Sequence, residues 1–225
     1  MAAARNELKF YINSADAIVL KSRLSHILSP DRFTVGDKGY FISSLYFEDP
    51  LLSSYWDKVN GIEKRMKYRI RYYNNDTGFL RLEKKEKRGH LIGKSSEAIT
   101  LSEANMFCYN TFPREANASP LKNEFLFKIC REGFRPAVFV DYHRTAFCYP
   151  AGHVRITLDS DLKAYRYQDG LLKKSFMMFA MNMKETILEV KFDSFLPPFI
   201  SELLEDIPKN HCAISKFCKC YEQLY

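Results

Sequence analysis

Arg65, Lys67, Arg69 and Arg71 take every second position of "KRMKYRIRYY", residues 64–73, and Met66, Tyr68, Ile70 and Tyr72 fill the positions between. Successive side chains of extended backbone point to opposite faces, so this stretch sets a row of cations against an apolar wall. The same parity recurs elsewhere. Glu7 and Lys9 oppose Leu8, Phe10 and Ile12; Arg81, Glu83, Lys85 and Lys87 oppose Leu80 and Leu82. Arg155, Thr157, Asp159 and Asp161 oppose Val154, Ile156 and Leu158, while Glu189, Lys191 and Asp193 oppose Leu188, Val190 and Phe192.

Two kinds of surface carry such a pattern. One is the solvated face of an antiparallel sheet with helices on its other side. The other is the inside of a closed sheet, where buried charge requires a ligand or metal to compensate it. Density in Arg and repeated Glu-x-Lys pairs suit the second, and the pattern alone leaves both open. The carboxylates narrow the chemistry. A surface that only holds a polyanion has no use for them, because they repel phosphate. Set among Lys and Arg, they are useful for holding Mg²⁺ or Mn²⁺, hard cations bound by one or two carboxylates plus phosphate oxygens. Basic groups that neutralise and a metal that bridges phosphates are what phosphoryl transfer needs.

The elements that must position these residues alternate between strand and helix patterns. "ELKFYI" reads as a strand, and "SADAIVLKSRLSHIL" as a helix capped by Ser14 and stopped before Pro30. "YFISSLYF" is a second strand and "DPLLSSYWDKV" a short helix with Pro50 near its start. "IEKRMKYRIRYY", the turn "NNDTG" and "FLRLEKKEK" form a β-hairpin, and residues 91–100 a fifth strand. Residues 102–133 are helical in two pieces, broken around Pro113 and Pro120. "RPAVFVDYHRTAFCY" and "HVRITLDSDL" make a hairpin across Pro150 and Gly152, and "TILEVKFDS" is a last long strand. "PPFISELLEDI" and "AISKFCKCYEQL" close the chain as two helices. The expectation is one antiparallel α+β domain over residues 1–225.

Composition bounds the partners. Of 225 residues, 46% are hydrophobic and 27% charged, which supplies a core and argues against disorder. The formal net charge of +7 favours an anionic partner. No apolar run approaches the roughly 20 residues of a membrane helix, and "MAAARNELKF" lacks the apolar run of a secretory signal. A cytoplasmic protein with reduced thiols is expected, with the sequons at Asn75 and Asn117 unmodified. His211, Cys212, Cys218 and Cys220 offer only one pair at zinc-like spacing, so packed thiols are the better reading. "GHLIGKSS" has three residues between its glycines where a P-loop needs four. No GxSxG or HExxH occurs, and His143 and His153 read as strand-surface residues.

Eight stretches in order, "ELKF", "SLYFED", "KYRIRYY", "LEKK", "YHRTAF", "VRITLD", "ILEVKF" and "ISKF", resemble the polyphosphate polymerase domain of the vacuolar transporter chaperone (VTC) family. That domain belongs to the triphosphate tunnel metalloenzymes, or CYTH-like proteins. The resemblance runs from Arg5 to about Tyr221. It implies a closed antiparallel β-barrel forming a tunnel, with helices packed outside. The activity it implies is transfer of the γ-phosphate of ATP to a growing inorganic polyphosphate chain, with Mn²⁺ or Mg²⁺. Carried over by position, it makes Arg69 and Arg71 phosphate ligands with Lys9, Lys85 and Lys94, and continues the basic lining through Arg144 and Arg155. Glu189 becomes the metal ligand with Lys191 beside it, and Ser215 and Lys216 close one end of the site. Arg5 stands where the broader ExExK signature has its first Glu, a departure that favours the polymerase branch over the simple triphosphatases. The sequence resembles the stand-alone bacterial form, without the sensing domain and membrane helices of the fungal proteins.

Two other functions fit the same residues. One is a triphosphatase acting on tripolyphosphate or nucleoside triphosphates. The other is a non-enzymatic polyanion or nucleic-acid binder, in which Tyr68, Tyr72 and Tyr73 stack on bases. The carboxylates among the cations count against the binder, and no nucleic acid is expected as partner.

Overall fold

The computed structural model describes residues 6–34, 36, 39–89, 91–111, 119–171, 173–211 and 213–225. Arg5, Cys212 and Asn117, singled out above, lie outside them. The described residues form eleven strands: β1 (Asn6–Asn13), β2 (Ser29–Pro30), β3 (Tyr40–Glu48), β4 (Arg65–Tyr73), β5 (Asp76–Arg88), β6 (Leu91–Ile99), β7 (Arg135–Tyr149), β8 (Val154–Tyr167), β9 (Lys174–Phe179), β10 (Glu185–Phe192) and β11 (Asn210–His211). Six α-helices accompany them: α1 (Ser14–Ile27), α2 (Ser53–Val59), α3 (Leu101–Tyr109), α4 (Pro120–Arg131), α5 (Pro198–Glu205) and α6 (Lys216–Glu222).

The strand order is β11-β1-β10-β8-β7-β3-β4-β5-β6, with β2 on β7 and β9 on β8. This order is a path with two ends, so the expected closed barrel does not form. Closure requires the two terminal strands to pair along their lengths in a fixed stagger. Here one end is a two-residue strand, which reaches only Phe10 and Tyr11 of β1, and the other end is β6. The antiparallel α+β character holds, and every described strand register is antiparallel.

Local signals place the elements with small shifts. The α1 cap is Asn13, one residue before the expected Ser14, and its side chain accepts the Asp16 amide at 2.7 Å. Thr100 and Glu103 form a capping box at α3, and Ser119 caps α4 with Pro120 in its first turn. The β4–β5 turn is tighter than "NNDTG". Asn74 and Asn75 alone carry it, both at positive φ, as a two-residue hairpin turn requires.

The chain forms two compact units. Unit 1 comprises Met1–Phe41, Tyr142–Leu162 and Met181–Ile214; unit 2 comprises Ile42–Asp141, Lys163–Ala180 and Ser215–Tyr225. In unit 1 the apolar strand faces, with Phe10, Ile156, Leu158, Leu188 and Val190, pack with Leu20 and Leu24 of α1 and Ile200 and Leu204 of α5. In unit 2, Leu45, Phe47, Tyr68, Ile70 and Leu82 pack with Phe107 of α3 and Phe125 and Ile129 of α4. Each core therefore uses the apolar parity read from the sequence, which leaves the charged parity on the opposite face. Among the described residues, no helix is long and apolar enough to cross a membrane.

Candidate functional site

In unit 1 the charged faces of β1 and β10 alternate in sign across the pair. Strand pairing sets Glu7 opposite Lys191 and Lys9 opposite Glu189, and carries these rows on to Arg155 and Thr157 of β8. Lys191 Nζ lies 3.1 Å from both Glu7 and Glu189, and Lys9 Nζ is 3.6 Å from Glu7 and 3.8 Å from Glu189. Lys9 also donates to the Ile214 carbonyl at 3.4 Å. Arg144 forks onto Asp159, with Nε and Nη2 each 2.6 Å from a carboxylate oxygen, and reaches Glu189 at 3.8 Å. Both partners of the fork are buried, with side chains 8% and 1% exposed. Burial alone would lower the Arg144 pKa, but Asp159, Tyr142 and Glu189 override it and raise it well above the ordinary value. Arg155 Nε donates to Asp31 at 3.1 Å, and Arg155 Nη2 donates to the Tyr40 hydroxyl at 3.0 Å. Burial pushes the Tyr40 phenol up to about 12. The Thr157 hydroxyl, opposite Glu189, is buried with no hydrogen-bond partner among the described residues.

Unit 2 has a different charge pattern. The face shared by β4, β5 and β6 carries Arg65, Lys67, Arg69, Arg71, Arg81, Lys85, Lys87 and Lys94, with Glu83 as its one carboxylate. Like charges oppose each other directly: Arg65 and Lys87, Arg71 and Arg81, and the row Lys67, Lys85, Lys94. Such pairs destabilise a bare sheet. Glu83, only 3% exposed, gathers part of this charge. Its Oε2 accepts Arg69 Nη2 at 2.6 Å and Nε at 2.8 Å and lies 4.0 Å from Arg71, while its Oε1 meets Lys94 at 2.6 Å. Burial would raise the Glu83 carboxyl, but Arg69, Arg71 and Lys94 outweigh it and hold it well below the usual range.

Strand β3 and helix α6 complete the unit 2 face. Tyr46 and Ser44 accept hydrogen bonds from Arg69 Nη1 at 2.7 Å and Arg71 Nε at 3.0 Å. Glu48, on the same parity, is turned to the start of α2, where it accepts the Ser54 and Tyr55 amides at 3.1 and 3.0 Å. The expected arrangement packed helices outside the sheet and set Ser215 and Lys216 at one end of the site; in the structure α6, which begins there, covers part of this charged face. Its Phe217 ring lies 5.0 Å from Tyr46, and Lys67 Nζ sits 4.4 Å from the Phe217 centroid. Lys67 Nζ also donates to Ser215 Oγ at 3.2 Å. Burial holds the Lys67 ammonium below its ordinary value.

A family model, described as the VTC domain, matches residues 4–225. The chain belongs to the VTC domain family. Among curated proteins none matches it. Solved structures resemble this VTC domain in fold at low identity. A candidate adenylate cyclase from Bacillus halodurans is 12% identical, with a TM-score of 0.51 over 90% of this chain and 88% of the other. A protein from Pyrococcus horikoshii OT3 is 16% identical over 97% of each chain, with a TM-score of 0.44.

The residues read from the VTC sequence thus fall into two groups. Lys9, Arg144, Arg155, Glu189 and Lys191 are in unit 1, where Glu189 lies within 4 Å of Lys9, Arg144 and Lys191 and Arg155 turns to Asp31. Arg69, Arg71, Lys85, Lys94, Ser215 and Lys216 are in unit 2. There Arg69, Arg71 and Lys94 converge on Glu83. Lys85 is an exposed member of the lysine row. Ser215 caps α6 by accepting the Cys218 amide, and Lys216 opens that helix. Gly93, Lys94 and Ser95 of the near P-loop lie within strand β6. Sequence reasoning did not single out Glu83, Tyr46, Lys67, Asp31, Asp159 or Tyr40 as site residues. Parity already put Glu83, Lys67 and Asp159 on the charged faces. Asp31 and Tyr40 carry no local signal, because Arg155 reaches them across more than a hundred residues of sequence.

Proposed function

We propose that this VTC domain is a divalent-cation-dependent polyphosphate polymerase, transferring the γ-phosphate of ATP onto a growing inorganic polyphosphate chain. Membership of the family supports a polyphosphate-related, triphosphate-handling activity. The observation that carries the reading is the β4–β6 part of the unit 2 face, where eight cations share one carboxylate and like charges stand opposed. A linear polyanion is the ligand that relieves such a row.

In this reading Arg69 and Arg71 bind phosphoryl oxygens with charge-assisted hydrogen bonds, and Lys85 and Lys94 neutralise the rest of the chain. In unit 1, Lys9 and Lys191 do the same work beside Glu189, with Arg144 and Arg155 behind them. Ser215 and Lys216 contribute at the start of α6. The fit to a divalent ion is a matter of donors. Among the described residues no group of three or more His, Cys, Asp or Glu could hold a metal ion. Glu189 and at most one neighbour such as Glu7 would therefore supply the protein's share, with phosphate oxygens and water completing the shell, as Mg²⁺ and Mn²⁺ accept. When bound, such an ion supplies charge neutralisation between phosphates.

The test is incubation of the purified protein with ATP and Mn²⁺ or Mg²⁺, with products resolved on a gel. Long phosphate chains that disappear in EDTA are the expected result. Release of orthophosphate alone would make the protein a triphosphatase. Metal-independent polyphosphate binding without turnover would make it a binding module.

A further inference from the structure

The Arg69 guanidinium in unit 2 is held from two sides. Its Nε and Nη2 edge rests on one oxygen of Glu83, at 2.8 and 2.6 Å, and its Nη1 donates to the Tyr46 hydroxyl at 2.7 Å. The Tyr46 ring also lies under the cation, 5.6 Å from Arg69 Cζ to the centroid. The second Glu83 oxygen is taken by Lys94 at 2.6 Å. Both oxygens of this carboxylate are therefore engaged by cations. A carboxylate fixed between an arginine fork and a lysine occupies the position a phosphate group would take.

We propose that Glu83 is a resident counter-anion of the unit 2 face and, with Tyr46, a positioning residue that orients Arg69 for an incoming phosphate chain. The inference rests on the reading that this face takes triphosphate or polyphosphate, and it adds how that site is kept assembled and how its affinity is limited. Without an anion, Glu83 offsets the repulsion among Arg69, Arg71 and Lys94. When a phosphate chain arrives, the carboxylate repels it and competes for the same N–H donors, so binding is weaker than the bare cations would give. Because those three cations hold Glu83 well below the ordinary carboxylate range, it remains ionised at any neutral working pH. Repulsion grows with the charge of the incoming chain, whereas lost orientation amounts to the hydrogen bonds of one side chain. In binding, the charge effect wins; in turnover, the orientation effect does.

The experiment measures tripolyphosphate binding calorimetrically in EDTA, and chain synthesis from ATP with Mn²⁺, on the purified full chain and on Glu83→Gln. The expected result is a split: tripolyphosphate binds about three- to tenfold tighter, a change of ~0.7–1.4 kcal/mol, while synthesis slows. A merely structural role would weaken both. Unchanged or weaker tripolyphosphate binding by the folded variant would overturn the proposal. Should Glu83→Gln not fold, Tyr46→Phe removes only a hydroxyl and reads the cradle from its other side. It should weaken tripolyphosphate binding about threefold, and should add nothing when combined with Arg69→Lys, because both changes break the same contact. Additive losses, or none from Tyr46→Phe, would overturn the proposal. The binding arm stands apart from the polymerase reading. A wild-type protein that binds tripolyphosphate but makes no chains defeats that reading and leaves Glu83 testable. One that makes chains yet binds no tripolyphosphate in EDTA defeats the role of Glu83 alone.

Discussion

The two charged faces of this VTC domain are built on the same strand parity but have opposite electrostatic designs. In unit 1, Lys9, Lys191, Arg144 and Arg155 meet Glu7, Glu189, Asp159 and Asp31, and each of these cations lies within 4 Å of a carboxylate, although Lys191 also stands opposite Arg155. These four cations and four carboxylates balance in number. In unit 2, Lys67, Lys85 and Lys94 stand in one row and Arg71 faces Arg81, with Glu83 the one carboxylate among eight cations on β4, β5 and β6. The difference teaches that cation density alone does not mark a phosphate surface. A balanced lattice orients its members and presents one carboxylate, Glu189, in a fixed setting. An unbalanced one stays in electrostatic debt until an anion arrives. The first should tolerate the loss of a charge poorly; the second should lose affinity long before it loses stability.

The largest expected effect lies in unit 1. Glu189→Gln removes the carboxylate proposed to hold the divalent ion, and steady-state chain synthesis should fall by about 10²–10³-fold. Next is stability. Asp159→Asn leaves the Arg144 guanidinium buried without its fork partner, and urea unfolding should show a loss of about 3 kcal/mol. Lys85→Gln in unit 2 should instead leave stability unchanged or raise it by ~0.3 kcal/mol, since it relieves a like-charge row. Equal losses from the two would erase the contrast between the faces.

Acid titration sharpens the contrast at Glu83. Its folded-state pKa lies below the ordinary 4.5, so the unfolded chain takes up the proton first as pH falls. The stability that Glu83 contributes is complete above that ordinary value, and is lost as pH falls below it toward the folded-state value. Urea midpoints measured through the acid range should therefore fall less steeply for Glu83→Gln than for the wild type. The smallest effect belongs to Arg88→Ala. This exposed side chain at the end of β5 pairs only with nearby Glu86 among its described contacts, and tripolyphosphate affinity should stay within about twofold.

Much of this was legible in the sequence because alternation reports a strand's faces directly. The row from Arg65 to Arg71 and the apolar wall behind it follow from residues 64–73 alone, and the order of elements follows from caps, prolines and turns. Alternation does not report what happens at a sheet's edges. The closed barrel was expected from a resemblance, and whether two terminal strands meet depends on chain geometry that no local pattern encodes. The six residues "KSFMMF" of β9 escaped for a related reason: Phe176, Met177, Met178 and Phe179 are all exposed, so no polar position alternates with them. At the site, parity placed side chains on the correct faces but not beside their partners. Lys67 meets Ser215 and Arg155 meets Asp31 only because distant segments converge within one unit. Arg144 and Arg155 read as bare cations in sequence, and in the fold each carries its own carboxylate.

The contrast between the faces reduces to one measurement: tripolyphosphate affinity in EDTA for Arg69→Ala and Glu189→Gln, side by side with the wild type. Arg69→Ala removes a charge-assisted contact from the unbalanced face and should bind about ten- to a hundredfold more weakly. Glu189→Gln removes a negative charge from the balanced face and should bind at least as tightly as the wild type. The reverse pattern, with Arg69→Ala unaffected and Glu189→Gln unable to bind, would contradict the division of labour between the two faces.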